Sequence, residues 1–319
     1  MKKYLCGVDA GGTKLSAGLF EEDGTFIDSR ITYSHTKLGC DGIVDSIASI
    51  VQELLVAHSL HESQLRGIGV GIAGHINTKK GLIITSSNFK SCFKDYPLRL
   101  MLSRKFKSNI IIDNDANAQA FGEFKFGAGK NFSDIVFVTI SSGVGSGIIV
   151  DKKLVRGMTG TAGEIGHTII DPHSEIECSC GNRGCLMSLS SGHYLPQLYN
   201  RYLIGGEVSS IGITTDTLDD FDGRMLEKGV AEQDAISLKV LQDSANAIGI
   251  GLYNLFQLVN PEVFIIGGGL VNMGQIYTDL IEKRFYSLVK GMMYDRVEIR
   301  TSALGCNAGL LGAAALTLE

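Results

Sequence analysis

Three of the chain's seven cysteines, Cys178, Cys180 and Cys185, fall within the short stretch ECSCGNRGCLM. His167 lies eleven residues upstream of the first. Three thiolates and one imidazole form a Cys3His set, the closed tetrahedral shell of a structural zinc site. Gly181 and Gly184 allow the loop to wrap a metal ion. Free thiols or a redox pair would use the same residues. Four soft ligands interleaved with turn glycines favour zinc, which would stiffen the loop without a disulfide. The remaining cysteines, Cys6, Cys40, Cys92 and Cys306, are scattered. That pattern and the odd total argue against a secretory disulfide framework.

Glycines beside carboxylates suggest a second chemistry. DAGGTK ends an apolar strand on Asp9 and turns through Gly11 and Gly12 into Thr13 and Lys14. Backbone N–H groups in such a turn can face an anion. Asp9 could hold a hydrated Mg2+, which takes one or two carboxylates together with phosphate oxygens. A plain hairpin, with Asp9 as a cap and Lys14 in solvent, would look the same in sequence. A second glycine-rich turn, SSGVGSG at 141–147, and the cluster Gly267-Gly268-Gly269 add weight to the phosphate reading, since together they suit a nucleotide laid across a cleft. Gly69, Gly71 and Gly74 fit GxGxxG, but they lie inside a strand and no helix start follows, so a dinucleotide site is not expected.

DNDANAQA, residues 113–120, follows the apolar run Ile110–Ile112. A strand-end carboxylate at a helix start is placed to act on a ligand. Asp115 could take the proton of a substrate hydroxyl as that oxygen attacks phosphorus, with Asn114 orienting the substrate. Asp and Asn are equally favoured helix caps. Capping is the expected role of Asp113, and the rest of the constellation decides for Asp115.

The elements that must position these groups follow from periodicity. Strands are expected at Tyr4–Asp9, Leu15–Phe20, Thr25–Ile31, Gly67–Ala73 and Ile110–Asp113. Ile43, Val44, Ile47, Ile50, Val51, Leu54 and Leu55 recur at helical spacing, and 116–126 reads as helix. At Ile135–Ile140 the pattern of strand, glycine turn and strand returns, continuing from Gly147 to Val150. The repeat suggests two related halves. A long helix spans Ala235–Val259, a strand covers Val263–Ile266, and Gly305–Leu318 forms a small-residue buried helix. Residues 205–234 are polar and lack periodicity. The expected domains are a smaller α/β domain, 1–115 plus 301–319, and a larger one, 116–300, that carries the zinc loop.

At 319 residues the chain suggests two domains. Its 44% hydrophobic and 20% charged residues are those of a folding chain, and a net charge of −5 argues against a nucleic-acid or anionic-membrane partner. Forty glycines against four prolines suggest tight turns and close approaches of backbone to ligand. No run is long enough for a membrane span or signal peptide, so the cytoplasm is the expected location.

The sequence resembles the ROK-family sugar kinases, a branch of the actin-like ATPase superfamily that includes glucokinases, N-acetylhexosamine kinases, fructokinases and allose kinases. GVGSGIIVDKKLVRGMTGTAGEIGH, residues 143–167, carries the family signature. DAGGTK, GIAGHIN, NDAN, AGEIGH, CSCGNRGC and IIGGG occur in the family's order. The resemblance implies two actin-like, ribonuclease H-like α/β domains with a cleft between them. It implies ATP-dependent phosphorylation of a primary hydroxyl, the 6-OH of a hexose or N-acetylhexosamine, with Mg2+ and a structural zinc. Asp115 matches the catalytic base. Asn114, Gly74, Asn88 and Glu164 match sugar contacts, and His167 matches the zinc histidine that also borders the sugar. Cys178, Cys180 and Cys185 match the other zinc ligands. Residues Asp9 to Lys14 resemble the first phosphate loop, Ser142 and Gly143 the second, and Gly267–Gly269 the adenosine-side turn. A homodimer is implied.

Two positions depart from the family pattern. A Glu that contacts sugar hydroxyls is usual where this chain has Met187, and a thioether is a weak acceptor. Ser141-Ser142-Gly143 replaces the usual Gly-Thr-Gly. Two rival readings remain. One is a catalytically weakened sugar-binding or regulatory protein of the same family, without a DNA-binding module because DAGGTK begins at residue 9. The other is an actin-like ATPase or chaperone, against which the sugar motifs argue.

Overall fold

A computed structural model describes residues 2–34, 39–86, 89, 93–289 and 297–319. The chain divides into two compact units. The first comprises Met1–Phe137, Gly147–Gly163 and Ser302–Glu319, and the second Val138–Ser146 and Glu164–Thr301. The boundary expected after residue 115 falls inside the first of these, at the start of a helix.

In the first unit β1 (Tyr4–Ala10), β2 (Lys14–Glu21) and β3 (Phe26–Tyr33) form an antiparallel meander. Helix α1 (Gly39–Ala57) follows, its expected apolar stripe buried throughout. Strand β4 (Leu65–Ile72) runs parallel to β1. A small sheet of β5 (His75–Asn77), β6 (Leu82–Thr85) and β7 (Lys94–Tyr96) and the short helix α2 (Leu98–Ser103) come next. Strand β8 (Ile110–Asn114) pairs with β4, completing the order β3-β2-β1-β4-β8, and leads directly into α3 (Asp115–Phe126). The core of this sheet holds Val8, Leu15, Leu19, Ile68, Val70 and Ile112 against the α1 stripe.

The division of the chain passes through β9 (Ile135–Ile140) and β10 (Val144–Val150), which belong to a second sheet of order β11-β10-β9-β12-β13. Strand β11 is Lys153–Leu154. Strand β10 starts at Val144, earlier than expected, because the preceding turn closes tightly: Ser141 N–H donates to the Gly143 carbonyl at 2.8 Å. The second unit adds α4 (Leu186–Ser190), α5 (Leu195–Ile204), α6 (Gly223–Ala231), α7 (Ala235–Val259), β12 (Val263–Gly267), α8 (Gln275–Leu288) and β13 (Glu298–Thr301). The polar stretch without periodicity contains α6 and a 3-10 turn at Thr215–Asp220. Buried Asp234 orders its edge, accepting from Ser210 N–H at 2.7 Å and from the Tyr199 hydroxyl at 2.7 Å.

The last helix, α9 (Ala308–Ala315), belongs to the first unit and lies against β1 and β4. A Cβ added at Gly69 would stand 1.8 Å from the Ala313 carbonyl oxygen, and one at Gly7 would stand 2.0 Å from that of Leu310. Some of the glycine density therefore serves close approach of a helix to a sheet rather than of backbone to a ligand. It also accounts for the GxGxxG match, since Gly69 lies within β4 and faces α9. Among the described residues no helix is long and apolar enough to cross a membrane.

Candidate active site and metal centre

The candidate residues fall into two sets, one on each unit. In the first unit DAGGTK forms the β1–β2 hairpin. Gly11 N–H donates to the Lys14 carbonyl at 3.0 Å. Ser34 holds the turn from behind, its hydroxyl donating to the Gly11 carbonyl at 2.6 Å and its N–H to that of Thr13 at 3.0 Å. Thr13 and Lys14 are exposed, and Gly11 and Gly12 are half-buried. Asp9, the next-to-last residue of β1, lies against the first turn of α9. A Cβ at Gly309 would come within 2.4 Å of its Oδ2, so that glycine leaves room for the carboxylate. Burial raises the Asp9 carboxyl above its ordinary value, a penalty that a cation would relieve.

Asp113, Asn114 and Asp115 straddle the junction of β8 and α3, and each does something different. Asn114 is the helix cap: its Oδ1 accepts from Ala116 N–H at 2.8 Å and Asn117 N–H at 3.3 Å. Its Nδ2 donates to the Gly74 carbonyl at 3.1 Å, which ties the ends of β4 and β8 together. Gly74 has φ 144, and a Cβ there would meet the Thr85 carbonyl oxygen at 2.4 Å. Asp113 does not cap, contrary to expectation. It is 1% exposed and accepts from Arg156 Nε at 2.7 Å, Asn117 Nδ2 at 3.0 Å and Asn114 N–H at 2.8 Å. Arg156 in turn forms a two-pronged ion pair with Glu319, one prong at 2.8 Å. Burial pushes the Asp113 carboxyl up and the Arg156 guanidinium pulls it back. All of its partners are donors, so the site is built for the ionised form. Asp115 is the first residue of α3, and its own Oδ1 accepts from Ala116 N–H at 3.0 Å. Asn88 lies outside the described residues.

In the second unit the ligand atoms of His167, Cys178, Cys180 and Cys185 all lie within 4.8 Å of one another. Cys178 Sγ is 3.5 Å from His167 Nδ1, and Cys180 Sγ is 3.7 Å from Cys185 Sγ. A tetrahedral zinc with ordinary Zn–S and Zn–N lengths requires N···S and S···S edges of about 3.6 and about 3.8 Å. The four residues therefore fit zinc. Burial, and after it the neighbouring thiols, pushes Cys185 up to about 12, so a cation is what would let that sulfur ionise. The knuckle is closed by Cys178 N–H donating to the Asn182 carbonyl at 2.7 Å and Gly181 N–H donating to that of Cys178 at 2.8 Å.

Glu164 precedes a 3-10 turn at Ile165–His167, and its carbonyl accepts from His167 N–H at 3.1 Å. Met187 sits in α4 beside both that turn and the glycine loop. Its Sδ lies 3.5 Å from where a Cβ on Gly143 would stand, and its Cβ 3.4 Å from one on Gly166. Ser142 is exposed and Gly143 half-buried. Gly267 ends β12. A Cβ at Gly268 would meet the Ile140 carbonyl oxygen at 2.4 Å, and one at Gly269 would lie 3.5 Å from Ser141 Oγ. The 141–143 loop and the 267–269 turn are therefore neighbours. Motif reading missed Arg156, Glu319, Ser34 and Tyr194, whose hydroxyl accepts from Ser179 N–H at 2.7 Å. Only Arg156 carried a signal, as a cation inside the signature stretch.

Comparison with known proteins sets these residues in a family. The family model described as "ROK family" matches residues 5–319. The chain belongs to the ROK family. Glucokinase from Streptomyces coelicolor is 32% identical to it over 318 residues, which cover 98% of this chain and 97% of that protein. The crystal structure of a ROK family glucokinase from Streptomyces griseus in complex with glucose and AMPPNP superposes with a TM-score of 0.80 at 30% identity, covering 98% of both chains. The xylose repressor of Caldicellulosiruptor bescii is 29% identical over 90% of this chain and 71% of the repressor. The α/β architecture with two five-stranded sheets is accordingly the actin-like ATPase fold of ROK sugar kinases.

Proposed function

We propose that this ROK protein is an ATP-dependent sugar kinase that phosphorylates a primary hydroxyl, the 6-OH, of a hexose or N-acetylhexosamine. The observation that carries the reading is Asp115, a carboxylate on a strand–helix junction locked by Asn114 and Asp113, in a chain that aligns end to end with a glucokinase. Asp115 accepts the proton of the sugar hydroxyl. The freed oxygen lone pair attacks the γ-phosphorus, and the bond to the β-phosphate oxygen breaks to release ADP.

The remaining roles are those that the resemblance to ROK sugar kinases implies. Asn114 spends Oδ1 on its cap and one Nδ2 hydrogen on Gly74, so its second Nδ2 hydrogen is the group offered to the sugar. Gly74 and Asn88 are the other sugar contacts of the first unit, and Glu164 and His167 those of the second. The hairpin Asp9–Lys14 and the Ser142–Gly143 turn hold phosphates, with Gly267–Gly269 on the adenosine side. Asp9 would hold the Mg2+ of the nucleotide, which neutralises charge on the transferring group. His167, Cys178, Cys180 and Cys185 would hold zinc, fixing the wall that carries Glu164. Met187 presents a thioether where a carboxylate would bind sugar hydroxyls, so a less polar sugar face, deoxy or N-acyl, suits this chain.

A coupled ATP assay over a sugar panel tests the reading. Asp115→Asn is expected to lose at least about 100-fold in kcat, the span of general-base catalysis. Met187→Glu, run alongside, is expected to shift the preferred sugar toward a more hydroxylated one. The similarity to a xylose repressor supports a second reading, a sugar-binding regulator. Calorimetric sugar binding without turnover in any panel member would favour it.

A further inference from the structure

The metal knuckle and the 141–143 turn are connected by a short path of contacts. After Cys185 the chain enters α4 and leaves it at Ser191. The next two residues donate backbone hydrogen bonds into the turn, Gly192 N–H to the Ser141 carbonyl at 2.7 Å and His193 N–H to that of Ser142 at 3.0 Å. Gly192 allows this approach, since a Cβ there would stand 3.0 Å from the Ser141 oxygen. Tyr194 follows and is 5% exposed. Its hydroxyl turns back to the knuckle and accepts the N–H of Ser179, the residue between two ligand cysteines. The His193 ring packs edge-on against it, centroids 5.1 Å apart.

We propose that Tyr194 is a positioning residue that couples the knuckle's metal to the phosphate-side turn. Metal held by Cys178 and Cys180 would fix the backbone between them, and with it the Ser179 N–H that the tyrosine oxygen accepts. The ring then holds the 192–193 backbone at the distance at which both amides reach the turn. The zinc site thus shapes nucleotide binding as well as the sugar wall. The functional half of this proposal rests on the assignment of Ser142 and Gly143 to nucleotide. Its structural half does not.

The test compares native and Tyr194→Phe protein, a variant that keeps the buried ring. With zinc bound, Tyr194→Phe should release the metal to a chromophoric chelator about 10-fold faster, at the low end of outer-shell effects on metal affinity. It should also bind AMPPNP about fivefold more weakly, the value of one hydrogen bond. Amide exchange of Gly192 and His193 is the deciding readout. In native protein, chelation of zinc should speed it by at least about 10-fold, and in Tyr194→Phe chelation should change it little. Three results overturn the proposal: native protein that holds no zinc, native exchange at these amides indifferent to chelation, or the same response in both proteins. Should chelation unfold the unit, the zinc-bound pair decides alone, and equal release rates and equal exchange overturn the coupling. Native protein that binds no AMPPNP overturns the kinase reading and leaves the exchange test standing.

Discussion

Asp113 accepts hydrogen bonds from three donors while almost fully buried, and one of those donors, Arg156, is itself held by Glu319. Removing the cation from such a pair leaves a buried charge without compensation, at a cost of about 3 kcal/mol or more. The cost depends on pH. Burial already lifts the Asp113 carboxyl above its ordinary value against the pull of Arg156, and Arg156→Met lifts it further. A carboxyl whose folded value exceeds its unfolded value weakens the fold as pH rises through that interval, because the unfolded chain has released its proton and the folded one has not. Urea unfolding of Arg156→Met should therefore show a deficit near about pH 8 that shrinks toward about pH 5, and equal deficits at both would count against the role given to this pair. None of this was legible in DNDANAQA, where an Asp before a helix reads as a cap. The partners stand 43 and 163 residues apart along the chain and share no motif. The metal ligands were legible because their spacing is local. Tyr194 was not, because a tyrosine beyond a cysteine cluster carries no signal until the chain folds back.

Legibility at the scale of elements follows the same division between local and distant causes. Strand Ile135–Ile140 and helix α7 begin and end where their apolar patterns do. Helices α2 and α4, six and five residues long, are too short to show a period, and α6 mixes glycines with charges. Helix α8 carries Tyr277, Ile281 and Phe285 on one buried face, a stripe at helical spacing. Helix α9 is small and apolar all round, so its burial could be read but its neighbours could not. Those neighbours decide a substitution. Gly312 lies in the interior of α9, where alanine normally gains about 1 kcal/mol by helix propensity. A Cβ there would stand 2.5 Å from the Ala118 carbonyl oxygen in α3, and forcing two backbones apart costs up to about 3 kcal/mol. The clash outweighs the propensity, so Gly312→Ala should lower stability by about 1–2 kcal/mol, read as a lower urea midpoint at unchanged m-value. A stabilised variant would show that the helix can shift at no cost.

On the scale of the whole molecule, neither unit is continuous in sequence: the first is assembled from three stretches and the second from two. The stretch Ser302–Glu319 returns to the first unit and brings α9 with it. Glu123, buried in α3, fastens the return by accepting from Leu304 N–H at 3.1 Å and Ala303 N–H at 3.3 Å. Helix α9 then covers Leu5 and Phe20 with Leu311 and Ala314. Leu5, Phe20, Leu311 and Leu316 are each at most 5% exposed, and burying a large apolar side chain contributes roughly 1.5–3 kcal/mol. Four such side chains account for about as much as the net stability of a typical domain, about 5–15 kcal/mol. Deleting 302–319 should therefore unfold the first unit, although the deleted residues are the most distant in sequence from β1. The knuckle ligands and the helices around them lie in the other unit, so the truncated chain should still take up one zinc. Exchange mass spectrometry should find β1, β2 and β4 unprotected and α7 protected, alongside a zinc stoichiometry near one. Native protection of β1 in the truncated chain would show that α9 covers the sheet without holding it together. Loss of zinc together with β1 would show that the two units fold as one.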